Sequence, residues 1–223
     1  MSESLIETKP HTLIINEIFH SIQGESTHAG RTCVFIRLTY CNLRCVYCDT
    51  EYAFEEGKEM SMEEILAFVR AYGCNLIEVT GGEPLFQANC TELLTHLCNE
   101  GFEVLLETGG SLDISKIDRR VKRIVDFKCP SSKMMKKNYW KNVKVLNAGD
   151  EVKFVIGTRE DYEWAKERLK EHRLDGRCPV LFSVVFGTLE PVQLAEWILA
   201  DNLNVRFQLQ VHKYIWSPET KGV

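Results

Sequence analysis

Cys41-Asn42-Leu43-Arg44-Cys45-Val46-Tyr47-Cys48 sets three thiols on eight consecutive residues, spaced C-x3-C-x2-C, with an aromatic directly before the last. The stretch follows an apolar, β-branched run at 33–38, so it reads as the loop leaving a strand. Three thiolates on one short loop reach three irons of a single iron–sulfur cube and leave the fourth iron without a protein ligand. Structural zinc is the alternative, and it takes four closed ligands, often from two short knuckles. No second knuckle is present, so only Cys33 or Cys74 could supply a distant fourth thiolate.

Further apolar runs recur at 76–79, 103–106, 123–127, 151–156, 180–185 and 205–209. Helical periods separate several of them. One opens at Ser61 with Glu64 three residues later, a capping-box pattern, and continues through Ile65, Leu66, Phe68 and Val69. Others cover 91–100, 159–172 and 191–200, whereas the connections 109–122 and 131–148 lack a long helical period. Strands alternating with helices imply parallel β-α units. A full eight-unit barrel takes about 250 residues. The 223 residues therefore predict an α/β fold: a partial TIM-like barrel of about six parallel strands with reduced crossover helices. Polar motifs at 41–50, 81–84, 107–111 and 128–132 each follow a strand. In such folds the C-terminal strand ends form one face, so the four motifs should meet in one pocket.

Length and composition fit a single domain over 1–223, with the polar stretch 1–11 expected to be disordered. Apolar residues at 44% and charged residues at 26% are the balance of a globular protein, and no run of about 18 apolar residues predicts a membrane span. A net charge of −5 argues against a nucleic-acid partner, with Lys133, Lys136, Lys137, Lys141 and Lys144 as a local basic exception. Nine cysteines without a secretory signal point to the reducing cytoplasm. Cys33, Cys74, Cys90, Cys98, Cys129 and Cys178 are scattered through apolar or helical contexts and read as structural thiols.

The cysteine spacing, its aromatic and the later Thr80-Gly81-Gly82-Glu83-Pro84 resemble the radical S-adenosylmethionine (SAM) superfamily. Within it, His20-Ser21-Ile22-Gln23-Gly24-Glu25-Ser26, Arg37, Asp49-Thr50 and the segment 208–216 resemble the 7-carboxy-7-deazaguanine synthases of queuosine biosynthesis. The glycyl-radical activating enzymes share the cysteine spacing and the glycine segment and remain an alternative, as does a non-catalytic cysteine–metal module.

The resemblance implies a lyase with a [4Fe-4S] cluster on Cys41, Cys45 and Cys48, SAM on the open iron, and Mg²⁺. It implies conversion of 6-carboxy-5,6,7,8-tetrahydropterin to 7-carboxy-7-deazaguanine with loss of ammonia, a homodimer, and electrons from a flavodoxin or ferredoxin. SAM contacts are expected from Tyr47, Asp49, Gly81, Gly82, Glu83, Glu107, Lys128 and Ser131, where paired glycines let backbone approach a ligand. Glu107 and the Lys128–Ser131 stretch also read as ordinary turns. Substrate contacts are expected from Ile22, Gln23, Gly24, Glu25, Thr80 and the terminal carboxylate of Val223. Arg37 shares a strand face with Cys33 and Phe35, which turns its guanidinium toward the pocket to clamp a carboxylate or to pair with a nearby acid. Thr50 is a loop hydroxyl by spacing alone; the resemblance makes it a Mg²⁺ ligand.

Overall fold

The computed structural model describes residues 4–223. All seven expected runs are strands: β2 (Thr32–Leu38), β4 (Leu76–Gly81), β5 (Glu103–Thr108), β6 (Lys122–Asp126), β7 (Glu151–Ile156), β8 (Val180–Val184) and β9 (Arg206–Gln208). Two more, β1 (Thr12–Ile22) and β3 (Lys58–Ser61), complete a nine-stranded sheet of order β3-β1-β2-β4-β5-β6-β7-β8-β9. Every pair from β2 to β9 is parallel, while β1 runs antiparallel to both its neighbours. The sheet ends at β3 and β9, so it is an α/β partial barrel that does not close, with seven parallel strands where about six were expected.

The helices are α1 (Met62–Ala71), α2 (Cys90–Asn99), α3 (Arg159–His172), α4 (Pro191–Ala200) and the single turn α5 (His212–Ile215). Ser61 and Glu64 close the expected capping box on α1, and Thr158 with Asp161 closes a second on α3. The two reduced crossovers carry no α-helix; short 3₁₀ turns at Pro130–Ser132, Met135–Lys137 and Trp140–Val145 fill the second.

Side chains alternate across each strand. Outward-facing Ile36, Ile77, Val79, Val104 and Leu106 join the main core with Ile65, Leu66 and Val69 of α1 and Leu93, Leu94 and Leu97 of α2. Inward-facing Phe19, Cys33, Phe35, Leu76, Leu105 and Ile124 form a separate apolar tier, with Phe19 and Phe35 stacked at 4.9 Å. Strand charges lie above and below that tier.

The expected disorder of 1–11 does not extend to Ile6. Its N–H donates to Phe86 O at 2.8 Å and its carbonyl accepts from Ala88 N at 3.1 Å. Residues 1–3 lie outside the described residues. Among the described residues, no helix is long and apolar enough to cross a membrane.

Candidate active site

The cysteine loop leaves β2 through Tyr40, whose φ of 76° is in the left-handed region. The Arg44 guanidinium donates to Cys41 O at 2.7 Å and Leu43 O at 2.6 Å, lies 4.3 Å from the Phe54 ring centre, and so curls the loop back on itself. Leu43 N–H donates to Cys41 Sγ at 3.3 Å. Cys41, Cys45 and Cys48 are free, partly exposed, and line one cavity of about 880 Å³. None of the other six cysteines lines it. Burial pushes the Cys41 thiol up to about 12 and raises Cys45 as well, so both are protonated until a metal displaces the proton.

The remaining strand ends converge on the same cavity. Gly81 and Gly82 line it, and a Cβ on Gly82 would lie 2.3 Å from Tyr40 O and 2.8 Å from Cys41 Cβ. The glycine pair is thus required by the cysteine loop packing on the end of β4, a reason that ligand access alone did not supply. Glu83 does not line the cavity: its carboxylate accepts from Leu85 N at 3.1 Å, Thr108 Oγ1 at 2.8 Å and Gly109 N at 2.7 Å. Its carboxylate ties the ends of β4 and β5 together. Lys128 lines the cavity and donates to Asp126 Oδ2 at 2.7 Å, while Asp126 Oδ1 is buried without a hydrogen-bond partner. Ser131 also lines it, with its hydroxyl held by Asp161 Oδ2.

On the opposite wall, Glu25 and Glu107 flank the ammonium of Lys153, which is 4% exposed and 2.6 Å from Glu107 Oε1. Burial would raise Glu25, but Lys153 beside it wins and holds it below the usual carboxylate range. Burial dominates at Glu107, and it raises Glu78 further, with Glu107 and Glu25 adding like charge.

Gln23 lines the cavity while its amide donates to Glu78 and accepts from Glu25 N at 2.9 Å, and its backbone pairs with Arg31 O and Gly30 N at 2.8 Å, which fixes the 22–25 loop. Arg37 takes the ion-pair alternative, Nε to Glu17 Oε1 at 2.8 Å, with Phe19 and Tyr52 rings each 5.8 Å away, while still lining the cavity. Ile22, Gly24, Tyr47, Asp49, Thr50, Thr80 and Val223 also line it. Among the described residues, the one side-chain hydrogen-bond partner of Thr50 Oγ1 is Cys48 Sγ at 3.7 Å. Asp49 pairs with Lys213 at 2.6 Å on the rim.

The radical SAM superfamily profile matches residues 35–192. The 7-carboxy-7-deazaguanine synthase of Chlorobaculum tepidum is 49% identical over 95% of this chain and 97% of its own, and that of Koribacter versatilis is 44% identical over 94% and 99%. This chain belongs to the 7-carboxy-7-deazaguanine synthase family of radical SAM enzymes. The crystal structure of QueE from Escherichia coli superposes with a TM-score of 0.73 at 23% identity, covering 88% of this chain and 94% of that one. Streptococcus suis SuiB bound to S-adenosylmethionine gives 0.52 at 13% identity over 76% of this chain and 45% of that one, a likeness of fold.

Membership implies a [4Fe-4S] cluster and SAM, and the donor set fits both: three free thiols face the cavity, and Asp126 Oδ1 is an acceptor still lacking a donor. Among the described residues, no three His, Cys, Asp or Glu side chains are arranged to hold a single metal ion. A cube takes each thiolate on a different iron, so the thiols need not converge on one point.

Sequence reasoning missed Glu78, Asp126, Lys153 and His212 as cavity residues. The signal for Glu78 was a charge inside an otherwise uncharged strand, whereas Asp126 and Lys153 share their strands with other charges. His212 had the weaker signal of its family segment; a Cβ on Gly24 would lie 2.1 Å from its Nδ1, so α5 closes directly over the 22–25 loop.

Proposed function

We propose that the enzyme converts 6-carboxy-5,6,7,8-tetrahydropterin to 7-carboxy-7-deazaguanine with release of ammonia, using a [4Fe-4S] cluster, SAM and Mg²⁺. The observation that carries this is one open cavity of about 880 Å³ shared by the three thiols and by a wall of Glu25, Arg37 and Thr80. That volume is at the upper end for small-molecule sites, which suits a cofactor and a substrate held together.

When bound, the cluster and SAM would supply one-electron reductive cleavage and hydrogen-atom abstraction from the substrate. The chain's residues hold and shield. Cys41, Cys45 and Cys48 hold the cluster; Tyr47, Asp49, Gly81, Gly82, Lys128 and Ser131 line the SAM side. Glu107 accepts from ribose hydroxyls while Lys153 keeps its charge oriented. Glu25, held ionised, accepts from the aminopyrimidine edge. Arg37 offers its remaining guanidinium donors to the substrate carboxylate. Thr50 would offer a hard oxygen to Mg²⁺. Val223 and His212 close the cavity against water. The family resemblance supports a homodimer and a flavodoxin- or ferredoxin-type donor.

The test is anaerobic reconstitution followed by incubation with the carboxytetrahydropterin, SAM and dithionite. Deazapurine absorbance should appear with one ammonia per turnover. Cys41→Ala, Cys45→Ala and Cys48→Ala should each abolish SAM cleavage, and Cys90→Ala and Cys98→Ala should leave it nearly intact. SAM cleavage without deazapurine would remove the substrate assignment and turn attention to a backbone-glycine substrate.

A further inference from the structure

The lysine-rich crossover has no part in the cavity chemistry, yet its composition is extreme. Residues 133–149 hold five lysines and none of the chain's 32 acids, in a protein of net charge −5. A solvated loop in an acid-rich chain would be expected to mix the two signs. Lys133, Lys136, Lys141 and Lys144 are exposed, and among the described residues none of these four has a carboxylate partner.

The segment is also fixed against the cysteine loop. Ser132 O accepts from Val46 N at 3.2 Å, directly before Lys133. Tyr139 N donates to Gly110 O at 2.9 Å, and the neighbouring Ser111 hydroxyl accepts from the Asn42 amide at 3.1 Å. Asn138 pairs with the Lys128 backbone at 2.9 and 3.0 Å, so the basic run borders the loop from Asn42 to Val46. Val46, between two of the cysteines, is 69% exposed. An apolar spot bordered by exposed lysines without carboxylate partners, beside the partly exposed cysteine loop, is the pattern of a transient, electrostatically steered protein interface.

We propose that residues 133–144, with Val46 at their edge, form the docking face for an acidic one-electron carrier protein. This rests on the cysteine-loop reading above. One electron leaves the carrier's reduced flavin and arrives at the centre held by Cys41, Cys45 and Cys48; no bond forms or breaks. The dense lysines steer encounter, and the thin cover at Val46 brings the carrier's prosthetic group close.

The experiment compares the reconstituted enzyme with Lys133→Glu/Lys136→Glu/Lys141→Glu and with the matching triple Arg variant. An FMN-loaded flavodoxin is titrated calorimetrically at low salt and at about tenfold higher ionic strength. Wild type and the Arg variant should bind with an affinity that falls steeply with salt; the Glu variant should lose about tenfold or more and most of that salt dependence. Dithionite-driven SAM cleavage should be equal in all three, since a small reductant needs no docking. Equal flavodoxin binding by wild type and the Glu variant overturns the proposal. So does no flavodoxin binding by wild type, or a short single-stranded RNA that binds wild type and is lost in the Glu variant while flavodoxin is not. Dithionite-driven cleavage absent from every protein would instead sink the cysteine reading, independently of the binding result.

Discussion

Two groups of charged side chains sit on the inner face of the same sheet, at opposite ends of the strands, and they are built differently. Glu103 and Glu107 lie four residues apart on β5, about 13 Å, and Glu151 and Lys153 two apart on β7. At the N-terminal ends, Glu103 accepts from Arg31 and Lys122 at 2.6 Å each, His28 lies 3.3 Å away, and Glu151 accepts from Thr27 N at 3.1 Å. Acids and bases there are matched. At the C-terminal ends, one ammonium, Lys153, serves Glu25 and Glu107, with Glu78 crowded beside them. Acids outnumber bases at that end, and only that end opens to the cavity. A matched cluster holds a fold together; a mismatched one stores demand for a ligand, which is why perturbed carboxylates mark the site.

Removing the central cation from each group should separate them most widely. Lys153→Met leaves buried carboxylates facing each other and should cost about 3–5 kcal/mol in a denaturant melt at neutral pH. Lys122→Met removes a partner whose side chain is 40% exposed while Arg31 remains, and should cost under about 1 kcal/mol. The Lys153→Met deficit should shrink in acid as Glu25 and Glu107 take up protons. Equal losses for the two variants would break the contrast.

A smaller effect tests the crowding directly. Glu78 is 3% exposed and its carboxyl is raised well above the usual value, first by burial and then by Glu107 and Glu25. A raised folded value means its contribution is full below the unfolded value of 4.5 and is lost as pH rises through the folded one. Glu78→Gln keeps an acceptor for Gln23 without the charge. It should raise stability by about 1–2 kcal/mol at alkaline pH and change little near pH 4. A pH-independent gain would show that Glu78 is not strained by its charge.

This contrast also explains what the sequence could and could not reveal. The seven parallel strands announce themselves because each carries a run of β-branched or other apolar residues, even where charges interrupt it, as in β5, β6 and β7. β1 is only half-buried, and Asn16, Glu17, His20 and Ser21 break its apolar run, so periodicity passes over it. The cysteine loop and the glycines are legible because spacing within a loop survives in one dimension. Glu78, Asp126 and Lys153 come from three different strands, and strand order and register, which set Asp126 opposite Lys153, bring them to one cavity. The side-chain partners of Gln23 and Glu83 lie 55 and 25 residues away, which motif spacing does not encode.

The smallest effect belongs to the matched end and has the opposite sign. Glu103 is held at about 2, mainly by the Arg31 hydrogen bond, which with Lys122 outweighs a modest rise from burial. Its folded value lies below the unfolded 4.5, so its contribution is full above that value and is lost as pH falls toward about 2. Glu103→Gln keeps one acceptor but loses the charge, so at neutral pH it should cost less than about 1 kcal/mol, in keeping with a partly solvated pair. The variant and wild-type melting curves should converge as pH drops from 4.5 toward 2, the range in which Glu103 titrates in the folded protein. Glu78→Gln should show its gap opening on the alkaline side instead. Two substitutions of the same chemistry on one sheet face would then give pH slopes of opposite direction. If both slopes ran the same way, the division of the inner face into a matched end and a ligand-demanding end would not hold.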